Sequence, residues 1–229
     1  FKGNDLKRAY NTFLTELNAE LDKTGKKLYV AVHPEWKPGQ EYFDGYDYKT
    51  IGEIADKVIL MAHDYEATSL TDAEMKAGYT DTPLTPFDEV YFALKGITDP
   101  ASGVQDHSKI WLQLSMDTVQ WQLKDGKVIN KFAYHPSYEQ LMERFKKPGV
   151  SLNYSELSQN PYATFTDENG NKNVIWYENQ RSVDAKIRLA EMFGISGLSV
   201  WRLGTIPEFE DTAGTDYQLY IWEEIISNY

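Results

Sequence analysis

Four short apolar runs, each turning polar or aromatic at its C-terminal end, constrain this chain more than any other feature. They are Lys27–His33 (KLYVAVH), Lys57–Asp64 (KVILMAHD), His107–Met116 (HSKIWLQLSM) and Ile195–Trp201 (ISGLSVW). Their length and apolar content predict buried strands. Helical periodicity lies between them. Asn4–Lys23 sets Leu6, Tyr10, Phe13, Leu14, Leu17 and Leu21 on one stripe, and shorter helices are predicted over Tyr48–Asp56 and Phe87–Gly96. A further helix carries Val183, Ile187, Leu189, Ala190 and Phe193, starts near Ser182 and stops at Gly194, and Asp216–Ser227 is predicted as the closing helix. Strands alternating with helices imply an α/β fold, in which chemistry sits at the C-terminal ends of the strands.

The alternation breaks once, from Thr118 to about Val174. Lys124-Asp125-Gly126-Lys127 and Glu168-Asn169-Gly170-Asn171 are hairpin signals, and Ser137–Lys147 reads as a short helix, so this block is expected to be a small α+β insertion. A barrel of the TIM type needs about 250 residues. The expectation is therefore about half a (β/α) barrel, roughly four β/α units over residues 1–118 and 174–229, interrupted by the insertion at 119–173. Phe1 leads almost at once into a helix, with no initiating methionine and no signal peptide, so the chain is expected to be cut from something longer.

Composition excludes several functions. The net charge of −12, without basic clusters, argues against nucleic acid as a partner. No apolar run is long enough for membrane insertion. There are no cysteines, and the four histidines lack the close pairing of a zinc site. No phosphate-binding loop, dinucleotide fingerprint or nucleophile elbow occurs, and no cofactor is expected.

The strand ends then supply the candidates: His33, His63 with Asp64, Asp117, and Trp201 with Arg202. Gln113, Ser115 and Asp117 share one face of the third strand, and Gly197, Ser199 and Trp201 one face of the last. A mouth that is acidic and aromatic suits sugars, whose ring faces stack on indole or phenol and whose hydroxyls donate to carboxylates. Trp36, Tyr42, Tyr46, Tyr65, Trp121 and Trp176 are further rings, with core packing as their competing role. His107 and His135 read as surface residues.

Three segments resemble glycoside hydrolase family 18, particularly its spore-cortex and cell-wall branch. Lys27–Pro34 (KLYVAVHP) is similar to the family's fifth barrel strand, and Leu60–Tyr65 (LMAHDY) to its sixth, where the usual pattern is Met-x-Tyr-Asp. Trp176-Tyr177-Glu178-Asn179, then Ser182 and Lys186, then a strand ending Trp201-Arg202-Leu203-Gly204, is similar to the last unit. The resemblance implies that the chain is the C-terminal half of the barrel. It also implies retaining, substrate-assisted hydrolysis, in which a Glu protonates the glycosidic oxygen and the substrate's acetamido oxygen attacks the anomeric carbon. Carried over by position, Asp64 assists the acetamido group together with His63, Met61 lines the pocket and Trp201 is its floor. His33, Gln113, Asp117 and Tyr65 complete the expected substrate contacts.

Two departures stand out. His63 occupies the usual Tyr position, and no residue matches the acid of the family's DxxDxDxE motif, which the resemblance places upstream of Phe1. Three readings follow: a hydrolase of N-acetylglucosamine-containing polysaccharide, chitin or peptidoglycan; a non-catalytic carbohydrate-binding protein on the same fold; or a structural unit. The fragment alone is expected to be inactive. Unpaired sheet edges predict self-association of the half barrel. An extracellular or cell-surface location is expected.

Overall fold

The structure is a computed structural model that describes residues 3–34, 45–81 and 83–228. Trp36 and Tyr42 lie outside the described residues. In chain order the elements are α1 (Gly3–Asp22), β1 (Tyr29–Val32), α2 (Tyr48–Ile54), β2 (Lys57–Leu60), α3 (Asp72–Ala77) and α4 (Phe87–Ile97). Then come β3 (Ile110–Ser115), β4 (Val119–Lys124), β5 (Lys127–Val128), α5 (Tyr138–Phe145), β6 (Ser151–Ser155) and β7 (Asn160–Thr166). β8 (Lys172–Trp176), α6 (Gln180–Met192), β9 (Gly197–Trp201) and α7 (Ile221–Ser227) complete the chain. The fold is α/β, in two compact units. One comprises the described residues of Phe1–Ala62, Glu89–Leu114 and Ile187–Ser199; the other those of His63–Asp88, Ser115–Lys186 and Val200–Tyr229.

In the first unit the strands order as β1-β2-β3-β9, with β1, β2 and β3 parallel. Val30 lies beside Val58 and Val58 beside Ile110, so one face is a continuous apolar surface of buried valine, leucine and isoleucine. Ile51 of α2 and Val90, Ala93, Leu94 and Ile97 of α4 are equally buried, and α2 touches β2. The opposite face differs from the two-sided burial expected of these strands. Tyr29 is 50% exposed, and β1 alternates exposed and buried. Tyr29 and Trp111 meet edge to face there, 5.5 Å between centroids. Gly197 is required beneath that indole, because a Cβ at this position would lie 1.8 Å from Trp111 Cδ1. The apolar stripe of α1 is also mostly uncovered: Leu14 is buried, whereas Leu6 and Phe13 are about half exposed.

The second unit contains an antiparallel sheet ordered β5-β4-β8-β7-β6. The β4–β5 turn places Asp125 and Gly126 at φ 51° and 75°, the left-handed pair that a tight hairpin requires. Asp167 shapes the β7–β8 turn by accepting from Asn169 N and Asn171 N, both at 2.9 Å. The β6–β7 hairpin and α3 were not foreseen in the sequence. α3 begins with a capping box between Thr71 and Glu74 inside a segment read as merely polar. Trp121 and Trp176, considered as sugar-stacking rings, are core residues. Register sets Val119 opposite Trp176 and Trp121 opposite Val174, on the face that packs against Leu70, Leu84 and Val128. Trp176 Nε1 donates to Thr80 O at 2.7 Å.

The closing helix is shorter than its periodicity predicted. Gln218 adopts φ 51°, and Leu219 N donates to Thr212 Oγ1 at 2.8 Å. Helical hydrogen bonding therefore starts only at Ile221.

A buried ion pair ties this unit together. Lys186 Nζ donates to Glu178 Oε2 at 2.8 Å and Oε1 at 3.0 Å, with side chains 0% and 3% exposed. Glu178 also accepts from Ser182 Oγ at 2.5 Å, from Asn160 Nδ2 at 2.8 Å and from Thr85 Oγ1. Tyr138 OH accepts from Glu178 N at 2.9 Å and donates to Glu178 O at 3.1 Å. Burial pushes Lys186 below the usual ammonium range, and Glu178 pulls against that shift. Removing one partner leaves an uncompensated buried charge, which costs about 3–5 kcal/mol. Lys186→Met is therefore expected to lower unfolding free energy by about that amount in urea titration, and Lys186→Met with Glu178→Gln to recover part of it. Equal stability of wild type and Lys186→Met would contradict the arrangement.

Candidate functional site

Beyond the last strand pair of β2, the chain turns sharply. Asp64 takes φ 62°, a left-handed conformation that Asp adopts more readily than most residues and that often marks functional sites. Its carboxylate stays about half exposed while the His63 side chain is 5% exposed, and His63 Nδ1 lies 3.1 Å from Asp64 Oδ2. That separation suits an ion pair but is off the line of a hydrogen bond. The next residue, Tyr65, is fixed through its backbone N–H to Leu84 O at 3.0 Å.

Asp117 follows β3 in the same unit. It is half exposed, its Oδ1 caps Thr118 N at 2.9 Å, and its Oδ2 is 3.7 Å from His135 Nδ1. Asp117 and His135 line a cleft of about 760 Å³ with Met116, Arg202, Pro207 and Trp222. Trp201 leads into the same loop. Its carbonyl accepts from Met116 N at 2.9 Å, its ring is 50% exposed, and the peptide to Arg202 is cis. The Arg202 guanidinium carbon lies 5.9 Å from the Trp201 ring centroid.

Of the residues singled out from the sequence, His63, Asp64, Tyr65, Asp117 and Trp201 belong to this unit. His33, Met61 and Gln113 belong to the other. His33 is exposed and its carbonyl accepts from Tyr48 OH at 2.6 Å. Met61 N continues the β1–β2 pairing to Val32 O at 2.9 Å. Gln113 is 8% exposed and donates to Ser199 Oγ at 2.9 Å, which joins β3 to β9 by side chains of the faces expected from strand alternation.

Sequence reasoning missed Glu66 and His135. Glu66 Oε2 is buried without a hydrogen-bond partner. Burial pushes its carboxyl above the usual range, a hydrogen bond from its own backbone opposes this, Asp64 and Asp117 push further, and His135 pulls back. Asp64, Glu66, Asp117 and His135 thus form one electrostatic group. Position two residues beyond Asp64 was the available signal for Glu66; nothing local to His135 distinguishes it. Among the described residues no three His, Asp or Glu side chains are disposed to hold a metal ion, and no helix is long and apolar enough to cross a membrane.

The family model described as glycosyl hydrolases family 18 matches residues 1–205. The chain belongs to that family. Its curated relatives include the cortical fragment-lytic enzyme of Bacillus anthracis, 28% identical over 202 residues, covering 86% of this chain and 43% of that protein. Di-N-acetylchitobiase of Rattus norvegicus is 21% identical over 77% of this chain and 50% of its own length. Among solved structures, the spore cortex-lytic enzyme SleL of Bacillus cereus matches with a TM-score of 0.74 at 24% identity, over 97% of this chain and 46% of that one. A chitinase of Chromobacterium violaceum matches with a TM-score of 0.73 at 17% identity, over 96% and 62%. These likenesses establish a chitinase-like α/β fold. The chain spans less than half the length of the cortical fragment-lytic enzymes it matches, 43% in the Bacillus anthracis case.

The Glu66 environment has a measurable consequence. With its folded pKa above the unfolded value, Glu66 binds its proton more tightly in the native state, so its contribution to stability is complete below the unfolded carboxylate range. That contribution is lost as pH rises through the raised value. Between about pH 4 and neutrality the wild type is expected to lose more stability than Glu66→Gln, measured as urea midpoints at both pH values. Parallel pH profiles for the two proteins would refute this.

Proposed function

We propose that this chain is the C-terminal portion of a family 18 hydrolase that acts on β-linked N-acetylhexosamine polymers, chitin or peptidoglycan, by substrate-assisted retaining hydrolysis. The reading rests on the turn after β2, where Asp64 projects a half-exposed carboxylate beside the buried His63. That carboxylate accepts the acetamido N–H, orients the carbonyl oxygen toward the anomeric carbon and compensates positive charge as the carbonyl oxygen bonds to it. His63 holds Asp64. The half-exposed indole of Trp201 offers a flat apolar face to the sugar ring. Met61, Tyr65, His33, Gln113 and Asp117 are the proposed substrate contacts. The proton donor to the glycosidic oxygen is assigned to a Glu upstream of Phe1, since no residue of this chain matches it. An extracellular or cell-surface location fits a polymeric substrate of this kind, and the names of the relatives support the choice between chitin and cortex-type polymers.

A second reading, a non-catalytic carbohydrate-binding protein, is favoured by His63 standing where the family usually has Tyr. Binding and turnover separate the two. Chitotetraose is expected to perturb tryptophan fluorescence of the protein, and Trp201→Ala to weaken that binding about tenfold, near the upper end of a stacking contribution of ~1.5 kcal/mol. A titration without any fluorescence or calorimetric signal would remove both readings. This chain alone is expected not to turn over a chromogenic N-acetylglucosaminide, and turnover would overturn the upstream assignment of the acid. Extending the chain to include the upstream Glu restores activity under the hydrolase reading, and leaves binding alone under the other.

The half-barrel reading also carries an expectation. Leu6, Phe13 and Tyr29 are each about half exposed, and apolar surface of this kind drives association. The isolated chain is expected to self-associate in light scattering; a monodisperse monomer would count against the half-barrel.

A further inference from the structure

The five-stranded sheet has a second face, opposite the one that packs Trp121 and Trp176. Register aligns Gln122, Asn173 and Phe165 across β4, β8 and β7, and Gln120 lies on the same face two residues along. Arg144 and Lys147, at and just beyond the end of α5, stand beside this row, and these residues line a groove of about 570 Å³ whose rim also carries Asp167 and Glu168, the latter 3.9 Å from Lys147 Nζ. It shares no lining residue with the cleft that contains Asp117.

The polar floor is built rather than incidental. Gln120 and Asn173 are 5% and 1% exposed, and Gln120 Nε2 donates to Asn173 Oδ1 at 2.6 Å. Asn173 Nδ2 donates to Asn171 O at 3.1 Å and Asp167 Oδ2 at 3.4 Å, and Gln122 Nε2 to Asp167 Oδ2 at 2.8 Å. The chain of amides ends at Gln120 Oε1, which accepts from Arg144 Nη1 at 2.8 Å. Among the described residues that neutral amide is the hydrogen-bond partner of the half-buried guanidinium, and no carboxylate pairs with it. Burial accordingly pushes Arg144 below its usual range, with no acid pulling back. A guanidinium has five N–H donors in a planar fork that matches a carboxylate, and this half-buried one has no carboxylate paired with it among the described residues, so its free donors suit an anionic group from a ligand. The half-buried Phe165 ring lies in the same groove and supplies an apolar surface for a sugar face.

We propose that this groove is a second glycan site, separate from the Asp64–Trp201 site, which takes a carboxylate-bearing amino-sugar strand with Arg144 as the carboxylate anchor. The sugar part rests on the polysaccharide reading above; the carboxylate part rests on the groove alone. Such a site favours an acidic cell-wall glycan over chitin, which carries no carboxylate. The carboxylate can belong to the sugar, as a lactyl ether, or to an attached peptide.

Calorimetric titration of the full-length protein tests this with three probes. They are the disaccharide of N-acetylglucosamine and N-acetylmuramic acid with a free lactyl carboxylate, the uncharged disaccharide chitobiose, and an acidic stem tripeptide without sugar. Arg144→Gln is expected to weaken binding of the carboxylated probe about tenfold or more, and Arg144→Lys by less. Chitobiose binding at Trp201 should be the same in all three proteins, which also reports that the variants are folded. Dependence on Arg144 for the disaccharide assigns the carboxylate to the sugar, and dependence for the tripeptide assigns it to the peptide. If Trp201→Ala abolishes all glycan binding and Arg144→Gln changes nothing, the groove proposal fails and the Asp64–Trp201 reading stands. Binding that depends on Arg144 but never on Trp201 would instead retain the groove and remove that reading.

Discussion

The second unit depends on a carboxylate almost sealed from solvent. Glu178 gathers donors from Thr85, from Asn160 on β7 and from Ser182 and Lys186 on α6, while its backbone is held by Tyr138 of α5. Segments far apart in sequence therefore converge on one side chain. Hydrophobic packing alone would tolerate sliding of α6, because apolar contacts are not directional. A buried charge tolerates very little, since each lost donor exposes it to a medium that solvates it poorly. Asn179 and Ser182 add reciprocal bonds at the start of α6, Ser182 N to Asn179 Oδ1 at 3.0 Å and Asn179 N to Ser182 Oγ at 2.9 Å, and so set where the helix begins. The family-like motif Trp176-Tyr177-Glu178-Asn179 with Ser182 and Lys186 is thus explained by positioning. It fixes where α6 begins.

The electrostatics at the candidate site are the converse. There the carboxylates of Asp64 and Asp117 are half exposed, and one oxygen of Glu66 is buried without a partner. Asp64 and Asp117 face solvent, and Glu66 sits within reach of both with Oε2 unsatisfied. Crowded carboxyls separate into ionised and protonated forms because like charges at short range disfavour double ionisation. Burial and the neighbouring Asp64 and Asp117 raise the Glu66 carboxyl above its usual range. This arrangement lies where the strand has ended and the backbone turns left-handed, so no sheet hydrogen bonding competes for the side chains.

Much of this was legible in the sequence, for identifiable reasons. β1, β2, β3 and β9 were found because each is an apolar run too short for a helix, and two of the turns because Asp125-Gly126 and the Glu168–Asn171 segment carry the required backbone freedom. β2 was read through to Asp64 because its apolar run continues to Ala62; the strand stops at Leu60, and the turn that positions Asp64 leaves no trace in hydropathy. Trp121 and Trp176 could not be told from binding residues, since composition does not reveal which side of a pleat faces the core. Register does. Closing-helix periodicity held from Asp216, but Gln218 and the Thr212 hydroxyl diverted the backbone, a tertiary effect that local propensity does not register. Glu66 and His135 owe their place to what surrounds them rather than to their own neighbours in sequence.

The hairpin between β7 and β8 is an exposed surface turn of the kind usually regarded as permissive. Its Asp167, however, does two jobs at once: Oδ1 holds the turn backbone, while Oδ2 holds the amides of Gln122 and Asn173. Those amides lead through Gln120 to the Arg144 guanidinium. The tip is therefore coupled through this row of amides to Arg144, which lines the same groove. Lengthening the turn, or grafting an epitope into it, thus disturbs the amide row across β8 and β4 and the setting of Arg144 along with the tip itself.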